Sequence, residues 1–536
     1  MSRRRKILLG SLIGALADYR TRVNADGGVV EALTCANSLD ADVVMIPSGY
    51  KATKLYSQKA VPVYGAEEVV NGDFATNTDW SKGVGWSIAD GKAIGTNCNY
   101  SSLYQTFLVI GKTYKLTFEV ISKTQNFTVY AFDGNYIATT IGIHEVIGVA
   151  NRVDLKFEGG GLTSLIEIDN VSVKEVLTGD CDFDVSRNSI ATRVNKLGLI
   201  EEVAIDVPRL DYSDSNCPSL LLEPQSTNLI PYSEGFSDGS FIVYGETNIT
   251  LDNAEVNPYG ELGSYKITST GGLGRFGIIV SVTPSTDYTV SFYAKNIDAS
   301  NVVVLFTNVT TPSIINYESS INSNGWSRVE LSFTTDTGTS TTIQLVRNLP
   351  VGESLYLWGA QVEALPYATS YIQTAGSTVT RIADSVTGAG DANSFNSEEG
   401  VLYVETDTLE KVNSINISDG STSNYIQLYI QEGATSNIRY RCQSAGAIQV
   451  DQALADNENN YYENNKIAFK WKLNDFALWV NGVEIDSKNS GLAPIGLNVF
   501  ALNNISGGGT PLTGKVKALK VFKTALSDAE LETLTT

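Results

Sequence analysis

The sequence PRLDYSDSNCPSLLLEPQSTNLIPYSEGF occupies residues Pro208–Phe236, near the middle of a 536-residue chain. Its apolar run, Leu220–Leu222, lies between two prolines and is too short for a helix, so it predicts a buried strand or an extended connector. The segments on either side share one order of strand-like patterns, and a different β-rich segment follows to the C-terminus. We therefore predict an all-β protein built from serial antiparallel β-sandwiches.

This stretch resembles a connector that recurs in fibre and other virion-surface proteins of tailed bacteriophages. The resemblance is carried by Pro-Arg-Leu-Asp-Tyr at 208–212, the thirteen residues at 217–229 and Tyr-Ser-Glu-x-Phe at 232–236. It implies a structural role on a virion, as a fibre, a spike or a capsid-decorating appendage.

The composition favours strands and restricts the chemistry. Tyr, Phe and Gly are plentiful, and a formal charge of −21 argues against a nucleic-acid partner. A single histidine, His144, leaves multi-histidine metal sites unavailable. Five scattered cysteines without a Cys-x-x-Cys pair predict buried free thiols. With no nucleophile, phosphate-loop or dinucleotide motif, we expect a protein that is not an enzyme.

The N-terminus leaves two interpretations open. Basic residues at 2–6, an apolar run at 7–17 and Ala15-Leu16-Ala17 are typical of a secretory signal. Alternatively, residues 1–65 attach the chain to other virion proteins and mediate oligomerisation, with a trimer expected. The apolar run is too short to span a bilayer, so no membrane partner is expected.

Two segments have patterns of one repeated sandwich. The first has Asn-Gly-Asp-Phe at 71–74, Trp80, Gly85-Trp86 and Ile-Asp-Asn-Val-Ser-Val at 168–173, and resembles the jelly-roll carbohydrate-binding modules. In the second, Tyr288–Tyr293 matches the strand at Tyr114, and Val329–Phe333 matches Val153–Phe157 at a near-constant offset. We predict a duplicated domain.

The last segment has Trp-Val-Asn-Gly at 479–482 and a Ser527–Glu530 capping box before a short terminal helix. It resembles the concanavalin-A-like, or laminin-G-like, sandwiches. The predicted organisation is an attachment segment at 1–65, jelly-roll modules at 66–178 and 228–376 with a connector at 179–227 between them, and the last sandwich at 377–536.

Candidate ligand-binding residues are aromatic side chains in irregular stretches of the first module. Sugars are held by aromatic platforms together with a few polar groups, which points to Trp80, Tyr100 and Tyr104. Trp86, Trp358 and Trp479 lie in alternating strands and are predicted to be core residues.

The jelly-roll resemblance implies one possible cofactor, a structural calcium ion. Jelly rolls of the resembled family often hold one where the first and last strands meet, which implies Asp73 and Asp169 as ligands, and hard oxygen ligands suit that ion. No catalytic residue is predicted. His144 is expected to be a structural or surface residue.

Two functions are the leading hypotheses, and a glycan-depolymerising enzyme is the third. The first is a structural virion protein whose sandwiches contribute to binding host-surface glycans, located on the virion. The second is a secreted bacterial glycan-binding or surface-adhesion protein, which the signal-like N-terminus favours. Intact mass separates them, because loss of residues 1–17 would contradict the virion interpretation.

Overall fold

The computed structural model describes residues 28–30, 41, 43–45, 47–59, 64–132, 134–161, 163–176, 182–244, 247–311, 313–392, 394–408, 412–431, 437–455, 465–503 and 511–536. These residues form antiparallel sheets and one short α-helix, which confirms the predicted all-β class. The basic and apolar N-terminal stretches at 2–17 lie outside the described residues. None of the described helices has the length and apolar character needed to cross a bilayer.

The chain divides into two compact units. The inserted unit comprises Lys59–Gly179, and the main unit comprises Met1–Gln58 together with Asp180–Thr536. Before the inserted unit come five short strands: β1 (Val29–Val30), β2 (Val43–Met45), β3 (Gly49–Lys51), β4 (Lys54–Leu55) and β5 (Gln58–Lys59).

The inserted unit is a two-sheet sandwich. Its strands are β6 (Tyr64–Glu67), β7 (Ser81–Lys82), β8 (Trp86–Ala89), β9 (Lys92–Thr96), β10 (Ser102–Thr106), β11 (Thr113–Lys123), β12 (Phe127–Phe132), β13 (Gly134–Ala138), β14 (Gly142–Val149), β15 (Asp154–Glu158) and β16 (Leu165–Val176). One sheet has the order β14-β11-β16-β9-β8, and the other has the order β13-β12-β15-β10-β7. Alternating apolar side chains of both sheets fill the core between them.

After the inserted unit, the main unit continues with the connector strands β17 (Phe183–Ser186), β18 (Ala191–Val194), β19 (Ile200–Val203), β20 (Leu210–Asp211), β21 (Ser219–Leu222) and β22 (Ser226–Asn228). A second sandwich follows, formed by β23 (Phe241–Tyr244), β24 (Thr247–Val256), β25 (Leu262–Ser269), β26 (Gly274–Ser281), β27 (Asp287–Asn296), β28 (Val303–Phe306), β29 (Val309–Thr311), β30 (Ile314–Asn316), a 3-10 turn (Glu318–Ser320), β31 (Ser327–Thr335), β32 (Ser340–Leu349) and β33 (Ser354–Glu363).

The second sandwich repeats the strand order of the first. Its sheets run β24-β25-β33-β27-β31-β29 and β23-β26-β32-β28-β30, and all of these strands except β29 follow the order of the inserted unit's two sheets. The predicted repetition of one sandwich plan is therefore confirmed in the strand order, but one predicted match is wrong. Val153–Phe157 leads into β15, which lies in the sheet opposite β11, whereas Val329–Phe333 lies in β31, hydrogen-bonded directly to β27. The counterpart of β31 is β14, since β14 pairs with β11 as β31 pairs with β27. The predicted match failed because loop lengths differ between the copies while strand order does not.

A third sandwich closes the chain. Two short strands precede it: β34 (Val379–Arg381), which pairs with β22, and β35 (Ser385–Thr387), which pairs with β17. The strands of the sandwich are β36 (Glu399–Thr408), β37 (Val412–Ser418), β38 (Tyr425–Gln431), β39 (Asn437–Ser444), β40 (Ala447–Ala455), β41 (Asn465–Lys472), β42 (Phe476–Val480), β43 (Val483–Lys488), β44 (Val499–Ala501) and β45 (Gly514–Phe522), followed by α1 (Asp528–Thr535). Asn481 and Gly482 both have positive φ in the β42–β43 turn, and the capping box at Ser527 is present, as predicted.

The Leu220–Leu222 run was predicted to be either a buried strand or an extended connector, and it is a buried strand. It is β21, and its residues pair with Gly514–Val516 of β45, inside the sheet β20-β21-β45-β36-β41-β42-β43. All four β21 side chains are buried. The central stretch is thus part of the third sandwich's sheet, although about 290 residues separate the paired strands, and this pairing fixes the connector.

A buried cluster of ions fixes the same stretch from its other side. The Arg209 guanidinium donates to Glu223, with Nη1 and Oε2 2.6 Å apart, and also to Asp384. Arg381 donates to Glu223 at 2.7 Å, and Arg187 donates to Asp384 at 3.1 Å. All five side chains are at most 3% exposed. Charges this deeply buried are retained only when they are paired and hydrogen-bonded, so the five residues act as a unit.

The cysteines correct one prediction. Cys98 and Cys442 are buried free thiols, as expected. Cys217, within the central stretch, is instead disulfide-bonded. Cys217 is exposed, whereas burial keeps the thiols of Cys98 and Cys442 unreactive. Cys35 and Cys181 lie outside the described residues.

Candidate functional site

Trp80, predicted as a sugar platform, is a core residue. Its side chain is 4% exposed and lies 5.3 Å from the Phe74 ring and 6.2 Å from the Phe157 ring, measured between centroids. Its indole Nε1 donates to the Asn71 carbonyl at 3.0 Å. A ring enclosed in this way has no free face for a ligand. Trp86, Trp358 and Trp479 are also buried, as predicted.

The polar residues next to Trp80 in the sequence close a loop over the core. Asn71 organises the loop, because its amide donates to the carbonyls of Thr76 and Thr78 and accepts from the Thr76 N–H. Gly72 lies against the last strand, where an added Cβ would meet the Val171 carbonyl oxygen at 1.9 Å. The polar residues therefore hydrogen-bond to the loop itself, and this folds Trp80 inward.

Tyr104 lies on an outward-facing sheet surface, as a binding residue must. It is 40% exposed, on β10, whereas its neighbour Leu103 is fully buried. In the sheet register Tyr104 stands opposite Ser81 on one side and Lys156 on the other, and Lys156 stands opposite Tyr130 of β12. Residues paired across antiparallel strands share a face, so these four form a row, which we call the tyrosine row.

A second row lies beside the tyrosine row. Ser102, Glu158 and Thr128 stand opposite one another on the same three strands. Glu158 accepts from Tyr130 Oη at 3.2 Å and from Ser102 Oγ at 3.4 Å, and it pairs with Lys156 Nζ at 2.6 Å. These hydrogen bonds and the ion pair fix the positions of Ser102, Lys156 and Glu158 between Tyr104 and Tyr130.

Cations cover one of the two aromatic rings. Lys156 Nζ lies 5.0 Å from the centroid of the Tyr130 ring, and Arg152 Cζ lies 5.5 Å from it. Arg152 also makes a two-pronged contact with Asp154, at 2.7 and 3.0 Å. The basic and acidic groups of the face are therefore paired, and Tyr104 has the freer ring of the two.

Tyr100, the third predicted residue, lies at the end of the same strand pair. Its side chain is 76% exposed, and its backbone N–H donates to the Gly159 carbonyl at 3.1 Å, just past the last paired residues of β10 and β15. Its φ of 51° is unusual for an aromatic residue. Tyr100 thus lies at the end of the β10–β15 pair that carries Tyr104, and Trp80, which is buried, does not join them.

Tyr130, Lys156 and Glu158 were not predicted from the sequence. The signal was present in the alternation of Asp154, Lys156 and Glu158 with buried Leu155 and Phe157. Alternation identifies an outward face but not the strands beside it, so the neighbours of Tyr104 became known only from the register.

The predicted calcium ligands lie near each other without forming a recognisable metal site. Burial raises the pKa of Asp169, and the charges of Glu119 and Asp73 act in the same direction. Asp73 itself is exposed. Across the described residues, no group of three or more His, Cys, Asp and Glu side chains is placed to hold a metal ion.

His144 has the structural role that was expected. It is 5% exposed, its ring stacks on Phe118 at 5.0 Å, and its two nitrogens bond to Tyr136 Oη at 2.8 Å and the Thr140 carbonyl at 3.0 Å. Both ring nitrogens of His144 are therefore engaged in hydrogen bonds within the inserted unit.

The duplicated sandwich provides an internal comparison. The face that matches the tyrosine row, on β26, β32 and β28, carries Arg275, Ile279, Leu305, Gln344 and Arg347. Over the described residues of these three strands, that face has no aromatic side chain. On these three strands, aromatic side chains on the outward face are therefore a property of the first copy and not a requirement of the fold.

This chain is similar to known proteins only in its comparison with solved structures. No protein-family model and no curated protein matches the chain. The chain is similar to the CBM40 domain of the Ruminococcus gnavus IT-sialidase bound to α2,3-sialyllactose, with 18% identity, a TM-score of 0.24 and coverage of 28% of this chain and 94% of that one.

Two further structures show the same degree of similarity. Domain 4 of AbnA, a GH43 extracellular arabinanase from Geobacillus stearothermophilus in complex with arabinotriose, matches with 13% identity and a TM-score of 0.23, over 32% of this chain and 82% of that one. The CBM22-1–CBM22-2 tandem of Paenibacillus barcinonensis Xyn10C matches with 11% identity and a TM-score of 0.19, over 57% and 98%. Similarities this low carry no argument about ligands, which must rest on the residues of this chain.

Proposed function

We propose that this protein is a non-enzymatic glycan-binding protein whose inserted unit holds a saccharide across the tyrosine row. The observation that carries the proposal is the register of Tyr104, Lys156 and Tyr130 on three adjacent strands, facing away from the core. Aromatic rings pack against the C–H faces of a sugar, and the paired Lys156 and Glu158 offer a donor and an acceptor for its hydroxyl groups.

The duplicated sandwich favours a ligand role over a purely structural one. Exposed aromatic side chains contribute little to the stability of an outward face, and the second copy folds on the same plan with Ile279 and Arg347 there instead. An aromatic row that the fold does not need is the kind of exposed feature that marks a binding site.

The proposed setting is a bacteriophage virion, in which several copies, expected to be three, are attached to the particle through residues 1–65 and contribute to host-surface glycan binding. The sequence of the central stretch supports this setting. Antibody labelling of purified particles, read by electron microscopy, tests it. Label on the particle supports the proposal, and the presence of the protein only in the medium of uninfected bacteria contradicts it.

One observation favours the second candidate, a secreted bacterial glycan-binding or adhesion protein: the basic residues at 2–6 and the apolar run at 7–17 are typical of a secretory signal. The disulfide at Cys217 fits both candidates, because disulfides persist in secreted proteins and on virion surfaces. Both candidates use the same glycan-binding face and differ only in where the protein acts.

A glycan array probed with the full-length protein and two variants tests the binding proposal. We expect Tyr104→Ala to reduce the signal of at least one bound glycan ten-fold or more. The control is Tyr429→Ala, because it removes the same side chain from a strand of the third sandwich, where Tyr429 is partly exposed and Arg439 Cζ lies 5.9 Å from its ring. Equal loss in both variants, or in neither, would contradict the proposal.

A further inference from the structure

The main unit contains a cavity of about 1290 Å³ that is separate from the tyrosine row. Small-molecule sites usually measure roughly 300–1,000 Å³, so this cavity has room for a larger ligand. Its walls come from the connector, from β31 and the loop at 368–371 of the second sandwich, and from β36 and β45 of the third sandwich. The connector and its pairing with β45 thus create the cavity as well as the fold.

We propose that this cavity is a second saccharide site, which takes a neutral oligosaccharide of several residues. The proposal rests on different residues from those of the tyrosine row and goes beyond it. Three features of the lining carry it: a fixed aromatic wall, basic groups that are already paired, and buried polar atoms without partners.

The aromatic wall consists of Tyr293 and Trp326, which are both partly exposed. Each is held in place, because Trp326 Nε1 donates to the Val256 carbonyl at 2.8 Å and Arg328 Cζ lies 5.7 Å from the Tyr293 ring. Aromatic rings that are ordered before binding lose little entropy when a ligand packs on them. Such a wall suits the apolar C–H surface of a sugar ring.

The charges of the lining argue for a neutral ligand. Each of the four basic side chains is already paired with a carboxylate: Lys515 with Asp214 at 2.8 Å, Lys517 with Asp407 at 3.5 Å, Arg328 with Glu330 at 3.2 Å and Arg193 with Glu201 at 2.6 Å. Six carboxylates also line the cavity, and one of them, Glu223, is neutralised by Arg209 and Arg381 of the buried ion cluster. An anionic sugar would therefore find no uncommitted cation among the lining residues.

Two lining residues have polar atoms left unsatisfied. Thr408 is 8% exposed, and its Oγ1 has no hydrogen-bond partner among the described residues. The same holds for Nε of Arg328. A buried polar atom without a partner is costly and requires an explanation, and a ligand that supplies the missing bond provides one.

The required bonds define the chemical class of the ligand. Arg328 Nε can only donate, the carboxylates of Glu330 and Glu405 can only accept, and the Thr408 hydroxyl can do either. A ligand that satisfies all of them must donate and accept at neighbouring positions without carrying net charge. Hydroxyl groups on a neutral sugar chain do this, and their ring carbons supply the apolar surface for the aromatic wall.

The test is a printed array of neutral and acidic oligosaccharides of three to six residues, probed with the full-length protein. We expect at least one neutral oligosaccharide to bind, with its apparent affinity reduced ten-fold or more by Trp326→Ala and by Thr408→Val. Thr408→Val keeps the shape of the side chain and removes only an unpartnered hydroxyl, so the melting temperature should hold or rise. Thr117→Val, the same change on the outward face of β11 in the inserted unit, should leave these signals unchanged.

The outcomes separate this site from the tyrosine row. Glycans lost in Tyr104→Ala but retained in Thr408→Val belong to the tyrosine row, and the reverse pattern belongs to the cavity. If every bound neutral glycan survives Thr408→Val in a protein that melts normally, or if only acidic glycans bind, the cavity proposal is overturned whatever happens at Tyr104.

Discussion

Arg209 and Glu223 meet across the β20–β21 hairpin, with Nη1 and Oε2 2.6 Å apart and both side chains at most 3% exposed. Burial alone would raise the pKa of Glu223, but the charges of Arg381 and Arg209 outweigh it and lower that pKa to about 2. The carboxylate is therefore ionised in the folded protein at every pH where the protein is expected to work, and the central stretch depends on it.

Replacing Glu223 by Gln should destabilise the main unit by about 3–5 kcal/mol, because Arg209 and Arg381 would be left buried with an uncharged partner. A carboxyl group whose pKa is lowered on folding stabilises the protein above its ordinary pKa of 4.5, and this contribution is lost as the pH falls toward 2. The difference in stability between wild type and Glu223→Gln should therefore shrink below pH 4.5, as measured by urea unfolding.

The matched control for this change is Glu399→Gln, which removes an exposed ion pair with Lys472. Exposed pairs contribute roughly 0–1 kcal/mol, so its effect should be small. A Glu223→Gln protein as stable as the control at pH 7 would show that the buried cluster does not hold the connector.

Trp80→Ala should destabilise the inserted unit by about 3–5 kcal/mol, the usual cost of removing a buried aromatic side chain. Tyr100→Ala, at a side chain that is 76% exposed, should change stability by less than about 0.5 kcal/mol. Thermal unfolding of the two variants measures both. Near-equal melting temperatures would contradict the burial of Trp80.

Trp479 packs beneath the terminal helix α1 with Leu531, in a small cluster on the outer side of its sheet. Its indole Nε1 is buried and has no hydrogen-bond partner among the described residues. Trp479→Phe removes that unsatisfied donor and keeps most of the ring, so it should cost less than about 1.5 kcal/mol, whereas Trp479→Ala should cost about 3–5 kcal/mol. Similar losses in the two variants, measured by urea unfolding, would show that the indole nitrogen is bonded after all.

Asp169→Asn should raise the melting temperature at pH 7. A carboxyl group whose pKa is raised in the folded protein lowers stability once it ionises, and the amide removes that charge. The gain should vanish below the ordinary pKa of 3.8, where the wild-type group is also neutral. If Asp73 and Asp169 instead bind calcium, added calcium chloride should raise the melting temperature of wild type only, and Asp169→Asn should be the less stable protein in its presence.

The sequence was sufficient for the strand class and for several local features, because these depend on neighbouring residues. Period-two alternation identified β11 and β15, and the positive φ values at Asn481 and Gly482 follow from the residue types in the turn. The repeat was also visible, although its alignment failed at β31 because equal spacing does not guarantee equal position in a sheet.

Features formed by distant residues were not predictable. Glu223 and Arg381 meet although 158 positions separate them, and Leu220 pairs with Val516. Trp80 was misjudged because its polar neighbours suggested exposure, whereas Asn71 uses them to close the loop over the core. Tyr130 and Lys156 joined Tyr104 only through strand register, which alternation within one strand does not specify.

The most direct test of the central claim is the affinity of the full-length protein for a glycan identified on the array, measured by isothermal titration for wild type, Tyr104→Ala and Tyr429→Ala. For a glycan held by the tyrosine row, we expect Tyr104→Ala to raise Kd ten-fold or more at an unchanged melting temperature, with Tyr429→Ala within two-fold of wild type. If no glycan that binds the wild-type protein shows a raised Kd in Tyr104→Ala, the tyrosine row is not a binding site and the proposed function is wrong.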